Sequence, residues 1–437
     1  MKLTIIGGGG FRVPQVVGVL AQPDTPLAFS EVCLYDVSAD RLRVIADVLK
    51  QSGMGHLPIV TTRNLDDAVS GADFIFSAMR IGGTRGRISD EREALSRGVL
   101  GQETVGPGGY AYALRTLPYA MELAEAVHAH APSAWIINFT NPAGIVTQAM
   151  RRVHANVVGI CDTPIGLVRR VAALLGVAER DVAYDYIGLN HLGWLRSLVV
   201  DGNDLLPQLL ADDSLLGRLD EARTLSIDWV RALGMIPNEY LYYYYLNRES
   251  VAKLSTGTTR GEFLHGQQGD FYSAALEHPE RAAELWTATH LNREQTYMAE
   301  SRSEGEDRPE ESMGGGYERV ALDVMTALAS GAPAHLILGV PNSDDDGDPL
   351  IPHLHREAVV EVPCRVDFAG IHPERPAPFS GPELGLLIQV KACEDLLIEA
   401  GLSGDRTAAW RAIASHPLVD SVEVARELVD AYLGSAD

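Results

Sequence analysis

The stretch Gly159-Ile160-Cys161-Asp162-Thr163-Pro164 sets a thiol beside a carboxyl at the end of an apolar run. A strand ending there would present both groups at its carboxyl edge, where open α/β sheets bind ligands. Asn138-Phe139-Thr140-Asn141-Pro142 follows another apolar run in the same way, and Asn190-His191 interrupts the apolar segment 186–194. A lone histidine among apolar residues is ordinarily a hydrogen-bonded core residue. The tyrosine-rich segment from Tyr240 to Tyr245 is ordinarily packing, since each ring buries a large apolar area. Neither carries chemistry by itself.

Two further features suit anions. Lys2 to Ile6 read as a strand, and Gly7-Gly8-Gly9-Gly10 as a tight turn into a helix from about Pro14 to Leu20. Glycines there, Gly7, Gly9 and Gly10 above all, let the backbone approach a pyrophosphate whose charge suits the helix start. The match to GxGxxG is imperfect, because Arg12 stands in place of the third glycine. A second apolar strand, Val32-Cys33-Leu34-Tyr35, ends in Asp36. Asp36 stands somewhat beyond the usual ~20 residues and could bind the ribose hydroxyls, favouring NAD over NADP, or else cap the helix that follows. The loop from Arg80 to Arg87 sets three arginines among glycines and is followed by a second glycine-rich segment over 101–109, while Arg260 also lies beside a glycine. Such arginines either grip a phosphate or carboxylate with both arms of the fork or pair with Asp90, Glu91 and Glu93 in a solvated loop.

These groups need a scaffold. Strand candidates at 58–60, 73–78, 134–139 and 157–160 alternate with helical stretches, which predicts a parallel α/β sheet with the polar groups along one edge. Helices are expected over about 382–400 and 421–432. The charged segment 301–312 reads as an exposed loop, and 342–348 as a surface turn without the glutamate of a calcium loop. At 437 residues the chain is long enough for two or three domains. A net charge of -23 with no sizeable basic patch argues against nucleic acid or anionic membrane as partner. No apolar run approaches the ~18 residues of a membrane span. The short apolar start reads as a buried strand rather than a signal peptide, so a cytoplasmic protein is expected. Four scattered cysteines without CxxC pairs argue against a disulfide framework or a zinc ribbon.

Taken together, the glycine turn, Arg80 to Arg87, the glycines of 101–109, Asn138 to Pro142, Cys161-Asp162-Thr163-Pro164, Gly188 to His191 and Tyr240 resemble glycoside hydrolase family 4, the NAD- and manganese-dependent glycosidases. The resemblance spans at least residues 1–265, with weaker similarity at Gly314-Gly315-Gly316-Tyr317 and Ser415-His416-Pro417-Leu418. It implies a Rossmann-like parallel-sheet NAD-binding domain over 1–190, followed by a second α/β domain over 191–437 that closes the active site and carries subunit contacts, in a homodimer or homotetramer. It implies that Cys161 and His191 bind Mn2+, that Tyr240 is the catalytic base, and that Asp162 matches the acid of the branch cleaving α-linked 6-phosphoglucosides. Arg87 and Asn141 match sugar-binding positions. Arg12, Arg87 and Arg260 are the candidates for holding the 6-phosphate of a phosphorylated glycoside. The implied chemistry is oxidation of the sugar at carbon 3 by NAD, loss of the carbon 2 proton to Tyr240, expulsion of the aglycone and addition of water, a departure from the two-carboxylate scheme of most glycosidases.

For the anomer, Asp162 points to the α branch, whereas the segments 138–144 and 238–240 are more similar to the β branch, and 6-phospho-β-glucosides are the expected substrates. The alternatives are 6-phospho-α-glucosides and unphosphorylated glycosides. Outside the family stand an NAD-dependent hydroxy-acid dehydrogenase, which would leave Cys161 and Tyr240 without a role, and a non-catalytic NAD-binding sensor.

Overall fold

A computed structural model describes residues 1–296 and 316–434. The charged segment 301–312 and the glycines at 314 and 315 lie outside the described residues. Among those described, thirteen strands join one sheet: β1 Lys2–Ile6, β2 Glu31–Tyr35, β3 Ile59–Thr62, β4 Phe74–Ser77, β5 Trp135–Asn138, β6 Val157–Gly159, β7 Ala183–Leu189, β8 Leu192–Val200, β9 Asn203–Asp204, β10 Ile236–Pro237, β11 Ala334–Pro341, β12 Val359–Asp367 and β13 Gly370–Pro373.

The first six pair in parallel in the order β3-β2-β1-β4-β5-β6. Their central members are apolar on both faces because helices cover both sides; β4 is buried at every position. Beyond β6 the sheet turns antiparallel, continuing β11-β12-β7-β8-β10. The sheet therefore runs without interruption across residue 190. The junction is narrow. Gly339 of β11 faces Gly159 of β6, and Glu361 of β12 faces Gly188 of β7. A Cβ on Gly159 would stand 2.9 Å from Thr147 Oγ1, so the close approach there requires glycine.

The chain's last helices, Pro382–Ser403, Arg406–Ala414 and Val422–Leu433, return to the first half. They share a core with the helix Gly106–His130 through Leu117, Leu397, Ile413 and Leu428, all fully buried. Among the described residues no helix is long and apolar enough to cross a membrane.

Candidate active site

The carboxyl ends of β1, β4, β5 and β6 open onto a cleft of about 470 Å³, a size suited to small-molecule ligands. Gly7 leaves β1 at a φ of 84°, and a Cβ on it would stand 2.6 Å from the Ala78 carbonyl oxygen. The loop is then tied from the far half of the chain. Tyr272 donates its hydroxyl to the Gly9 carbonyl at 2.7 Å, and Trp286 donates Nε1–H to the Phe11 carbonyl at 2.8 Å. Gly7 and Gly10 line the cleft. Gly9 and Asp36 lie behind it: the Gly9 amide donates to Asp36 Oδ2 at 3.1 Å, and the Ser38 amide donates to Asp36 Oδ1. Asp36 thus braces the glycine turn, while the capping role falls to Ser38, which accepts from the Arg41 amide.

Cys161 sits between β6 and the helix Thr163–Leu174, whose first turn contains Pro164. Asp162 holds the N-cap position but makes no capping bond, and its side chain faces the cleft. Both Cys161 and His191 line the cleft and are buried. His191 is the second residue of the two-residue connection from β7 to β8 and adopts a φ of 65°. A bulky residue in the left-handed region is unusual and concentrates at functional sites.

The protonation of His191 can be deduced from its partners. Gln102 Oε1 accepts from the amides of Thr104 and Val105 at 2.6 and 2.7 Å, which fixes that atom as oxygen. The Thr104 hydroxyl donates its one hydrogen to the same oxygen at 3.0 Å. It must therefore accept from His191 Nδ1–H at 2.9 Å. Nε2 then carries the lone pair, the arrangement a metal-binding histidine needs. Burial pushes the His191 imidazole down to about 3, so it is neutral at pH 7. Burial first, with Glu361 and Asp162 adding to it, pushes the Cys161 thiol well up; a bound cation acts in the opposite sense and favours the thiolate. A soft sulfur and an imidazole form a divalent-cation donor pair. Among the described residues no third His, Cys, Asp or Glu completes a cluster with them.

Tyr240 stacks on His191 with ring centroids 3.6 Å apart and planes 11° apart. Its position is set by fully buried Asn238, whose Oδ1 accepts the Tyr240 amide and whose Nδ2 donates to the Tyr186 hydroxyl. Asn141 lines the cleft too, and its buried Oδ1 has no hydrogen-bond partner among the described residues. Arg87 is buried at the rim, giving Nε–H to Glu91 at 2.6 Å and pairing through Nη1 with Glu103 at 2.8 Å. Burial works to raise the Glu103 carboxyl, but the Arg80 and Arg87 guanidiniums overcome it and hold Glu103 well below the usual carboxylate range. Arg260 is absent from the cleft lining. It donates to the Arg293 and Thr296 carbonyls and to the Thr296 hydroxyl, securing the end of the helix Ala282–Gln295.

The structure therefore brings Gly7, Gly10, Arg87, Asn141, Cys161, Asp162, His191 and Tyr240 to one cleft and leaves Gly9, Asp36 and Arg260 just outside it. Sequence reasoning missed Gln102, Glu103 and Thr104, although the glycine-rich segment containing them was noticed. It also missed Arg293, which lines the same cleft from a helix with no motif around it, while Tyr317, the end of the weaker Gly314 to Tyr317 similarity, lines it too.

The model for family 4 glycosyl hydrolase matches residues 2–177, and that for the family 4 glycosyl hydrolase C-terminal domain matches 186–419. The chain is 29% identical to a 6-phospho-alpha-glucosidase of Leptotrichia buccalis, over 98% of this chain and 96% of the relative. It is 28% identical to a 6-phospho-beta-glucosidase of Thermotoga maritima, over 99% and 98%. A solved structure of the Thermotoga maritima 6-phospho-beta-glucosidase with manganese, NAD+ and glucose-6-phosphate superposes with a TM-score of 0.83 at 27% identity, covering 99% of this chain and 97% of that one. This chain belongs to glycosyl hydrolase family 4.

Proposed function

We propose that the chain is an NAD- and manganese-dependent 6-phosphoglucosidase acting on 6-phospho-β-glucosides. The observation that carries this is the stack of Tyr240 on His191, whose Nε2 is left unprotonated, in the same cleft as Cys161 and the glycine turn. The names and bound ligands of the relatives support the cofactors and the phosphorylated sugar. When bound, NAD would supply reversible oxidation of the sugar at carbon 3, and manganese Lewis acidity at the sugar oxygens.

The chain's own residues do the rest. Cys161 and His191 hold the metal, and Thr104 fixes the imidazole tautomer. Tyr240 takes the carbon 2 proton; a phenol with an ordinary pKa near 10 becomes an effective base only beside a cation. Asn141 and Arg87 orient the sugar, and Arg260 supports phosphate recognition. The division into a nucleotide half over 1–190 and a closing half over 191–437 is part of this proposal.

A second reading has its own support. The Asp162 carboxyl lines the cleft without a hydrogen bond to any described residue, a suitable donor to the leaving group of a 6-phospho-α-glucoside. Release of nitrophenol from the 4-nitrophenyl α- and β-glucoside 6-phosphates, with NAD and Mn2+ each omitted in turn and with D2O as solvent, decides between them. Hydrolysis of the β anomer that needs both additions and leaves deuterium at carbon 2 is expected. Turnover of the α anomer alone would transfer the assignment, and net NADH accumulation without hydrolysis would replace it with a dehydrogenase.

A further inference from the structure

The helix Ala282–Gln295 carries a cation that the reaction described above does not use. Arg293 lines the cleft, its guanidinium 5.9 Å from the Phe11 ring centroid. It makes no ion pair or side-chain hydrogen bond with a described residue. Glu103, a carboxylate that acts on it electrostatically, already pairs with Arg80 and Arg87, while Arg12 and Arg260 act on it as like charges. Arg12 is held beside it, its guanidinium 5.4 and 5.1 Å from the rings of Phe139 and Tyr317. Glu294, the next residue, also lines the cleft. The Arg293 side chain is half-buried, and its burial together with the two neighbouring arginines works against its charge. The protein nevertheless holds the helix end in place, because Arg260 donates to the Arg293 carbonyl itself at 3.1 Å.

We propose that Arg293 is a phosphate-recognition residue of the cleft, its planar fork binding a phosphoryl group in two-point fashion, with Arg260 acting through it as a positioning residue. The proposal rests on reading the site as that of an NAD-dependent 6-phosphoglucosidase. The phosphoryl group belongs either to the sugar 6-phosphate or to the dinucleotide, because the cleft receives both the glycine turn and Arg87. The chemistry of recognition is the same in both cases.

The test is calorimetric titration of full-length wild type, Arg293→Met and Arg293→Lys with glucose 6-phosphate, glucose and NAD. Glucose 6-phosphate affinity should fall about 10- to 100-fold in the Met variant, as for a lost charged hydrogen-bond pair, with glucose and NAD unchanged. The Lys variant, which keeps the charge and loses the fork, should lie between. The same loss confined to NAD would support the proposal with the cofactor as the source of the phosphoryl group. Wild-type affinity for all three ligands in the Met variant, or in the Lys variant should the Met variant not fold, overturns it. If wild type itself binds neither glucose 6-phosphate nor NAD, the reading of function fails instead.

Discussion

Thr104→Val separates the tautomer argument from a general account of packing. Valine keeps the shape of threonine but removes the hydroxyl that accepts His191 Nδ1–H at 2.9 Å. Because His191 is buried, the N–H left behind loses its one protein partner, at a cost of about 1–3 kcal/mol. The imidazole can escape that cost by moving its proton to Nε2, the atom required for the metal. Either way metal binding is weakened, and loss of such an outer partner ordinarily costs about 10- to 100-fold in affinity, roughly 1.4–2.7 kcal/mol. The assay is manganese activation of hydrolysis at saturating NAD, paired with spin-resonance detection of free Mn2+. The half-activating concentration should rise by that factor, with turnover at saturating manganese largely restored. Thr104→Ser, which keeps the hydroxyl, should behave as wild type. A variant that loses turnover while binding manganese as tightly as before would refute the tautomer assignment.

Three other outcomes follow from the same geometry. Tyr240→Phe retains the stack on His191 and should lower turnover by about 10²–10⁴-fold, abolishing deuterium incorporation at carbon 2 while manganese and NAD affinities stay unchanged in titration. Arg260→Ala should raise KM much more for the phosphorylated glucoside than for its unphosphorylated analogue; equal effects in steady-state kinetics would remove Arg260 from phosphate recognition. His416 is buried, pushed down to about 3 by burial, and accepts the Leu418 amide through Nδ1, so the fold favours its neutral form. That contribution is complete above the unfolded value near 6.5 and is lost as pH falls toward 3. Against His416→Asn, the stability advantage of wild type should shrink by about 1 kcal/mol between pH 7 and pH 5.5, read from urea melts at the two pH values.

The first half of the fold was legible because its strands follow a simple rule. Parallel strands covered on both faces are short apolar runs, and β1, β2, β4, β5 and β6 all appear where such runs end in glycine or a polar residue. Cys161 could be placed for the same reason, since it lies two residues beyond the end of β6. Residues that depend on distant chain segments could not be placed. The spacing beyond Gly9 suggests a ribose partner in Asp36, and the same carboxylate also accepts the Gly9 amide, a contact that spacing does not reveal. Arg260 looked like a binding residue because it lies beside a glycine. Its described partners are carbonyls at the end of a helix more than thirty residues on, which no local pattern encodes. The expected boundary at 190 marks a hairpin in a sheet that continues on both sides.

The same topology explains why a site made of residues 161, 191 and 240 needs the chain beyond 330. β6, which delivers Cys161, and β7, which leads to His191, are not neighbours; β11 and β12 lie between them. The distance between the two proposed metal donors is therefore set by strands whose sequences contain neither. β12 adds a direct tie. Glu361 Oε1 accepts from Asn190 Nδ2 at 3.0 Å, and Asn190 Oδ1 accepts the Ala143 amide at 3.2 Å, linking the turn that presents His191 to the loop that presents Asn141. Burial pushes the Glu361 carboxyl up to about 7, so near neutral pH it holds the turn without placing a full negative charge beside Cys161. A buried carboxyl that is only partly ionised near neutral pH can orient the turn while carrying a reduced negative charge. The antiparallel extension thus sets the separation and orientation of the groups on which the proposed chemistry depends.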